Sequence, residues 1–95
     1  MKENTVNKIR KFFKDKPVIK AYLFGSYARK DNTDESDIDI LVELDYSKRV
    51  GMEFIGMQLD LEKILNKKVD LVSANGVSRY IKPYIDKDKV LIYEK

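Results

Sequence analysis

With 95 residues the chain has room for one domain and no second, so a single domain over residues 1–95 is expected, its 43% hydrophobic and 37% charged residues sufficient for a modest core and arguing against disorder. The 19 Lys+Arg stand against 16 Asp+Glu for a net charge of only +3, scattered and not gathered into a stripe, which ranks direct nucleic-acid binding last among the functions considered. Cysteine and histidine are absent, which excludes disulfides, thiolate zinc sites, a cysteine nucleophile and the commonest neutral-pH base, so any chemistry runs on carboxylates, hydroxyls and cations.

In chain order, Val6, Ile9 and Phe13 recur at helical spacing beside Phe12, with Asn4 or Thr5 as the cap and Lys16-Pro17 as the stop. Val18 to Phe24 is β-rich, with Ile19, Ala21 and Leu23 expected on one face, and it ends at Gly25. Ser26 to about Lys30 suits a short helix, followed by the polar loop Asp31-Asn32-Thr33-Asp34-Glu35-Ser36. Ile38, Ile40, Val42 and Leu44 then alternate with Asp37, Asp39, Leu41 and Glu43, predicting a strand with one buried and one carboxylate-bearing face.

A long helix follows, its apolar stripe placed on Met52, Ile55 and Leu59 with Phe54, Met57, Leu61, Ile64 and Leu65 alongside, ending near Asn66-Lys67-Lys68. Val69 to Val72 reads as a third strand, Ala74-Asn75-Gly76 as a turn, Val77 to Ile85 as a helix interrupted at Pro83, and Val90 to Tyr93 as the last strand. The expected fold is α/β (α+β), a small mixed sheet of about four strands flanked by helices, with no internal repeat. No segment has signal-peptide or transmembrane character, so the expected location is the cytoplasm.

Three features carry chemistry. Gly25-Ser26 lies between a strand and a helix start, where glycine permits a sharp turn and close approach of a phosphate and Ser26 adds a hydroxyl donor; alone, such a pair is more often just a tight turn with a helix cap. Asp37 and Asp39 stand two apart on a strand, about 7 Å between Cα atoms and on one face. Aspartate is a poor strand former, and Ile38 and Ile40 hold both carboxylates off the core side, where magnesium relieves their repulsion. Asp70 repeats the pattern between Val69 and Leu71; if the two strands are neighbours, three carboxylates converge and suffice for two magnesium ions roughly 3.5–4 Å apart. Each aspartate taken singly also has a plain reading as a solvated or hydrogen-bonded strand residue.

The run Leu23-Phe24-Gly25-Ser26-Tyr27-Ala28-Arg29, followed by Ser36-Asp37-Ile38-Asp39-Ile40, resembles the signature of the polymerase-beta-type nucleotidyltransferases, and the chain's length makes it similar to their minimal nucleotidyltransferase (MNT) branch, antitoxins of HEPN-domain toxins. The resemblance implies that Asp37 and Asp39 ligate both ions, that Asp70 binds the ion activating the acceptor hydroxyl and takes its proton, that Gly25 and Ser26 hold the terminal phosphates, and that Arg29 neutralises charge on the departing pyrophosphate or packs at the helix surface. It also implies Mg2+ as cofactor, ATP as substrate and AMP transfer to a tyrosine of a HEPN toxin. Lys30 departs from the family's usual glycine after the arginine. The alternatives are a non-catalytic antitoxin that masks its partner, and nucleotidyl transfer to a small molecule. Lys48-Arg49 is the one further basic pair expected near the nucleotide, whereas Lys67-Lys68 reads as a helix-end cation pair and Met52, Tyr80 and Tyr84 as core or partner-facing surface.

Overall fold

In the computed structural model, which describes residues 2–48 and 50–95, four strands form one mixed sheet in the order β3-β2-β1-β4. The elements are α1 (Glu3–Phe13), β1 (Val18–Phe24), α2 (Ser26–Arg29), β2 (Ile38–Leu44), α3 (Gly51–Leu65), β3 (Val69–Ser73), a 3-10 turn Ala74–Gly76, α4 (Lys82–Asp88) and β4 (Val90–Glu94). β1 runs antiparallel to both β2 and β4, whereas β2 and β3 are parallel and joined through α3. The expected α/β architecture of four strands and flanking helices is therefore observed.

The core forms where α1 and α3 close one sheet face. Ile9 and Phe13 of α1 and Met57 and Leu61 of α3 are buried against Val18, Ala21, Leu23, Ile38, Ile40, Val42, Val69 and Leu71. The alternation in β2 thus works as read: its isoleucines and Val42 point into this core.

Four local expectations are corrected. Helix α1 begins at Glu3, with Lys2 as the uncapped N-cap whose carbonyl accepts from Thr5 and Val6, so neither Asn4 nor Thr5 caps it. In β1 it is Val18, and not the 40% exposed Ile19, that joins Ala21 and Leu23 inside, because the β1/β2 register shifts between Val18 and Lys20 and a bulge reverses the alternation. In α3 the buried residues are Met57 and Leu61 with Phe54 and Leu65 packed beside them, while Met52, Ile55 and Leu59 are 81%, 57% and 53% exposed. That helix is apolar almost all round, so its sequence period does not choose the inward face. Pro83 opens α4 and does not interrupt a longer helix: it occupies the first turn, where its missing N–H and fixed φ are harmless. Of the pair Lys48-Arg49, Arg49 lies outside the described residues, and Lys48 closes a turn by donating its N–H to Asp45.

Candidate active site

The second face of the sheet carries the polar residues. In the parallel register Asp39 of β2 lies directly beside Asp70 of β3, and Asp39 is also paired with Phe24, the last residue of β1 before Gly25. Asp37 lies one residue ahead of β2 and is exposed, as is Asp70, while Asp39 is half-buried. The sheet topology therefore gathers a turn and carboxylates from three separate stretches at one corner.

Gly25 is required there twice over. Its φ of 71° and ψ of −152° fall in a region that residues with a Cβ essentially do not occupy. A Cβ at this position would also overlap the Asp39 carboxylate. The glycine lets the backbone lie against Asp39, and helix α2 springs from it: the N–H groups of Ala28 and Arg29 both donate to the Gly25 carbonyl at 3.1 Å. The leading N–H groups of Ser26 and Tyr27 have no carbonyl one turn earlier within the helix to receive them.

The electrostatics mark the same spot. Burial first, then the charges of Asp70 and Asp37, push the Asp39 carboxyl up from 3.8 to about 6, with Arg29 opposing. Among the described residues no three acidic side chains already stand within joint ligating distance of one ion. Asp39 and Asp70 are brought side by side, and Asp37 comes near enough to act on Asp39 through its charge.

Arg29, the last residue of α2, donates from Nε to Asp31 at 3.2 Å and from Nη1 to Asp88, the last residue of α4, at 3.1 Å. Both bonds hold its guanidinium in the charged form. Asp88 is the residue that sequence reasoning missed; it lies 59 positions from Arg29 and no local pattern links them. Lys30 caps α2 in the left-handed conformation, φ 66°, the setting in which the family's glycine would be unstrained. Lys67 does more than sit at a helix end: its Nζ donates to the Asp34 carbonyl at 2.7 Å and lies over the Tyr27 ring, tying α3's end to the loop that precedes Asp37.

Farther along the same face, Leu41 of β2 and Ile85 of α4, each 5% exposed, line one cavity of about 140 Å³, and Tyr22 donates to Glu43 at 3.0 Å. A cleft of about 490 Å³ adjoins α2 at Tyr27 and is lined also by Asn32, Ile38 and Lys67; none of the three aspartates lines it. At the carboxylate corner Asp37 and Asp70 are exposed to solvent.

A glycine-serine turn held against a strand aspartate, with a second aspartate on the neighbouring parallel strand, defines a nucleotidyltransferase corner. Consistent with this, the family model "Polymerase beta, Nucleotidyltransferase" matches residues 7–95, and the chain belongs to that family and is a nucleotidyltransferase of its minimal kind. A Methanocaldococcus jannaschii protein assigned as a protein adenylyltransferase is 41% identical over 90 residues, covering 92% of this chain and 90% of its own. Among solved structures, a toxin-antitoxin complex with AMP-PNP matches with a TM-score of 0.80 and 26% identity over 95% of this chain and 73% of the other. A complex of tri-AMPylated Shewanella oneidensis HEPN toxin with MNT antitoxin matches with a TM-score of 0.76 and 25% identity over 100% of this chain and 74% of the other.

Proposed function

We propose that this protein transfers AMP from ATP, with magnesium, to a tyrosine hydroxyl of a HEPN-type toxin and so acts as its antitoxin. The observation that carries the reading is the side-by-side register of Asp39 and Asp70 against the cradle of Gly25. It is supported by the relatives: an adenylyltransferase assignment, a toxin-antitoxin complex holding an ATP analogue, and an AMPylated toxin in complex with an MNT antitoxin.

In this reading the Gly25-Ser26 turn receives the terminal phosphates, with the Ser26 hydroxyl and the leading N–H groups of α2 as donors. Asp37, Asp39 and Asp70 are the magnesium ligands, a fit supported by the all-oxygen donor set and by the burial, followed by the charges of Asp70 and Asp37, that lifts Asp39. Magnesium, when bound, supplies the counter-charge among the carboxylates and makes the acceptor hydroxyl more acidic. The tyrosine Oη forms a bond to the α-phosphorus, the bond to pyrophosphate breaks, and an Asp70 oxygen takes the tyrosine proton. The open corner leaves room for an acceptor that brings its own surface, which favours a protein over a small molecule.

The experiment is incubation with ATP, magnesium and the cognate toxin, read by intact mass. Gain of AMP on the toxin is expected; its absence with folded wild-type protein overturns the reading. The Asp37→Asn/Asp39→Asn variant is expected to bind the toxin and leave it active, whereas neutralisation that survives this change makes masking the mechanism.

A further inference from the structure

The Arg29–Asp88 pair is the one ion pair among the described residues that joins two helices. Asp88 is also the least exposed acid in those pairs, its side chain 22% exposed against 38% to 81% for the others. Its position is unfavourable for α4 itself. A carboxylate in the last turn faces the negative end of the helix dipole, where lysine is preferred, and Lys87 and Lys89 flank it. The helix therefore gives no local reason for an acid here, and the partner that accounts for it is Arg29.

At the other end of the pair the guanidinium of Arg29, 46% exposed, is held by two carboxylates. The Ser26 carbonyl accepts from both Lys30 and Asp31, closing the turn on itself, and the Asp31 carboxylate then takes Arg29 Nε. Asp88 takes Nη1 from across the fold. A guanidinium has five N–H donors in a rigid plane, so two such contacts set its orientation, and among the described residues Nη2 donates to none. That remaining edge belongs to an arginine three residues beyond Ser26 and within electrostatic reach of Asp39.

We propose that Asp88 is a positioning residue for nucleotide binding: with Asp31 it holds the Arg29 guanidinium in one plane beside the Gly25-Ser26 turn, so that the Nη2 edge is presented to a phosphate oxygen of the nucleoside triphosphate. The proposal rests on the reading of that turn as the triphosphate site. It makes α4 part of the nucleotide site without any atom of α4 touching substrate.

The test is calorimetric titration of the whole chain with AMP-PNP and Mg2+, which requires no toxin and no turnover. Asp88→Asn is expected to raise the Kd about fivefold through loss of one charged leg, and Asp88→Glu to restore most of the affinity. In an Arg29→Ala background, Asp88→Asn is expected to change the Kd no further, an epistasis that a role in folding alone would not produce. Asp31→Asn cuts the other leg at an exposed loop residue, so it reads the same effect should Asp88→Asn melt below the working temperature. An unchanged or tighter Kd in folded Asp88→Asn overturns the proposal, as does an equal loss with and without Arg29. A wild-type chain that binds no AMP-PNP overturns the triphosphate site itself and this inference with it; a wild type that binds beside an indifferent Asp88 variant leaves that site standing.

Discussion

The two faces of the sheet come from alternate residues of the same strands, yet one is closed and the other is only half covered. Under α1 and α3, Ile38, Ile40, Val42, Val69 and Leu71 are buried in an unbroken apolar layer. On the opposite face Leu41 and Ile85 are buried around a shared cavity, whereas Asp39 is half-buried beside an exposed Asp70. Stability alone would extend the apolar layer to the corner, because aspartate is a poor strand former and adjacent carboxylates repel. The contrast separates what the fold needs from what the reaction needs, and substitutions on either side should fail in different currencies of measurement.

The largest effect is expected at Gly25. Gly25→Ala places a methyl group in the Asp39 carboxylate and forces a Cβ into a glycine-only conformation, so AMP transfer should fall by about 100-fold or more. Single-turnover kinetics measure it, and transfer within tenfold of wild type would refute the cradle. On the closed face, Leu61→Ala empties a fully buried site in α3 and should lower stability by about 3 kcal/mol in urea titrations. Below its melting point that variant should transfer AMP at close to the wild-type rate.

Most of the closed face was legible in the sequence, because the alternation in β2 and the i, i+4 spacing of Ile9 and Phe13 each report burial directly. The meeting of the Gly25 turn with Asp39 and Asp70 was also legible, since a glycine at a strand end and aspartates inside strands are locally special, whereas Asp37 lies just ahead of β2. What escaped is what depends on packing partners. The bulge that replaces Ile19 by Val18 is set by pairing with β2, and the inward face of α3 is set by the sheet, since Met52, Ile55 and Leu59 are as apolar as the residues chosen. The Arg29–Asp88 tie joins positions that only the folded chain brings together.

A smaller effect distinguishes the two faces by pH. Asp39 titrates at about 6 in the folded chain against 3.8 ordinarily, so the folded state holds the proton more tightly. Its ionisation therefore destabilises the fold: the penalty is absent below pH 3.8, grows between there and about 6, and is full above. Solvent in front of the strand reduces it to about 1 kcal/mol. Asp39→Asn should accordingly be more stable than wild type at pH 8, with the gain gone at pH 3.5, as read by thermal melts. Magnesium at pH 8 should raise the wild-type melting temperature and leave that of Asp39→Asn nearly unchanged; equal shifts in both would place the ion elsewhere.

The smallest expected effect lies between the faces, at the end of α2. Lys30 holds φ at 66°, where a Cβ crowds the backbone, and its side chain is exposed. Lys30→Gly relieves that crowding but gives the unfolded chain more freedom, and the net gain should be about 0.5 kcal/mol, seen as a slightly higher midpoint in urea. Because the Lys30 and Asp31 N–H groups still close on the Ser26 carbonyl, Arg29 should stay in place and the Kd for AMP-PNP should hold within twofold, about the resolution of such a comparison. A marked loss of affinity would instead make the Lys30 ammonium a phosphate contact, and the open corner would then extend one residue beyond the arginine.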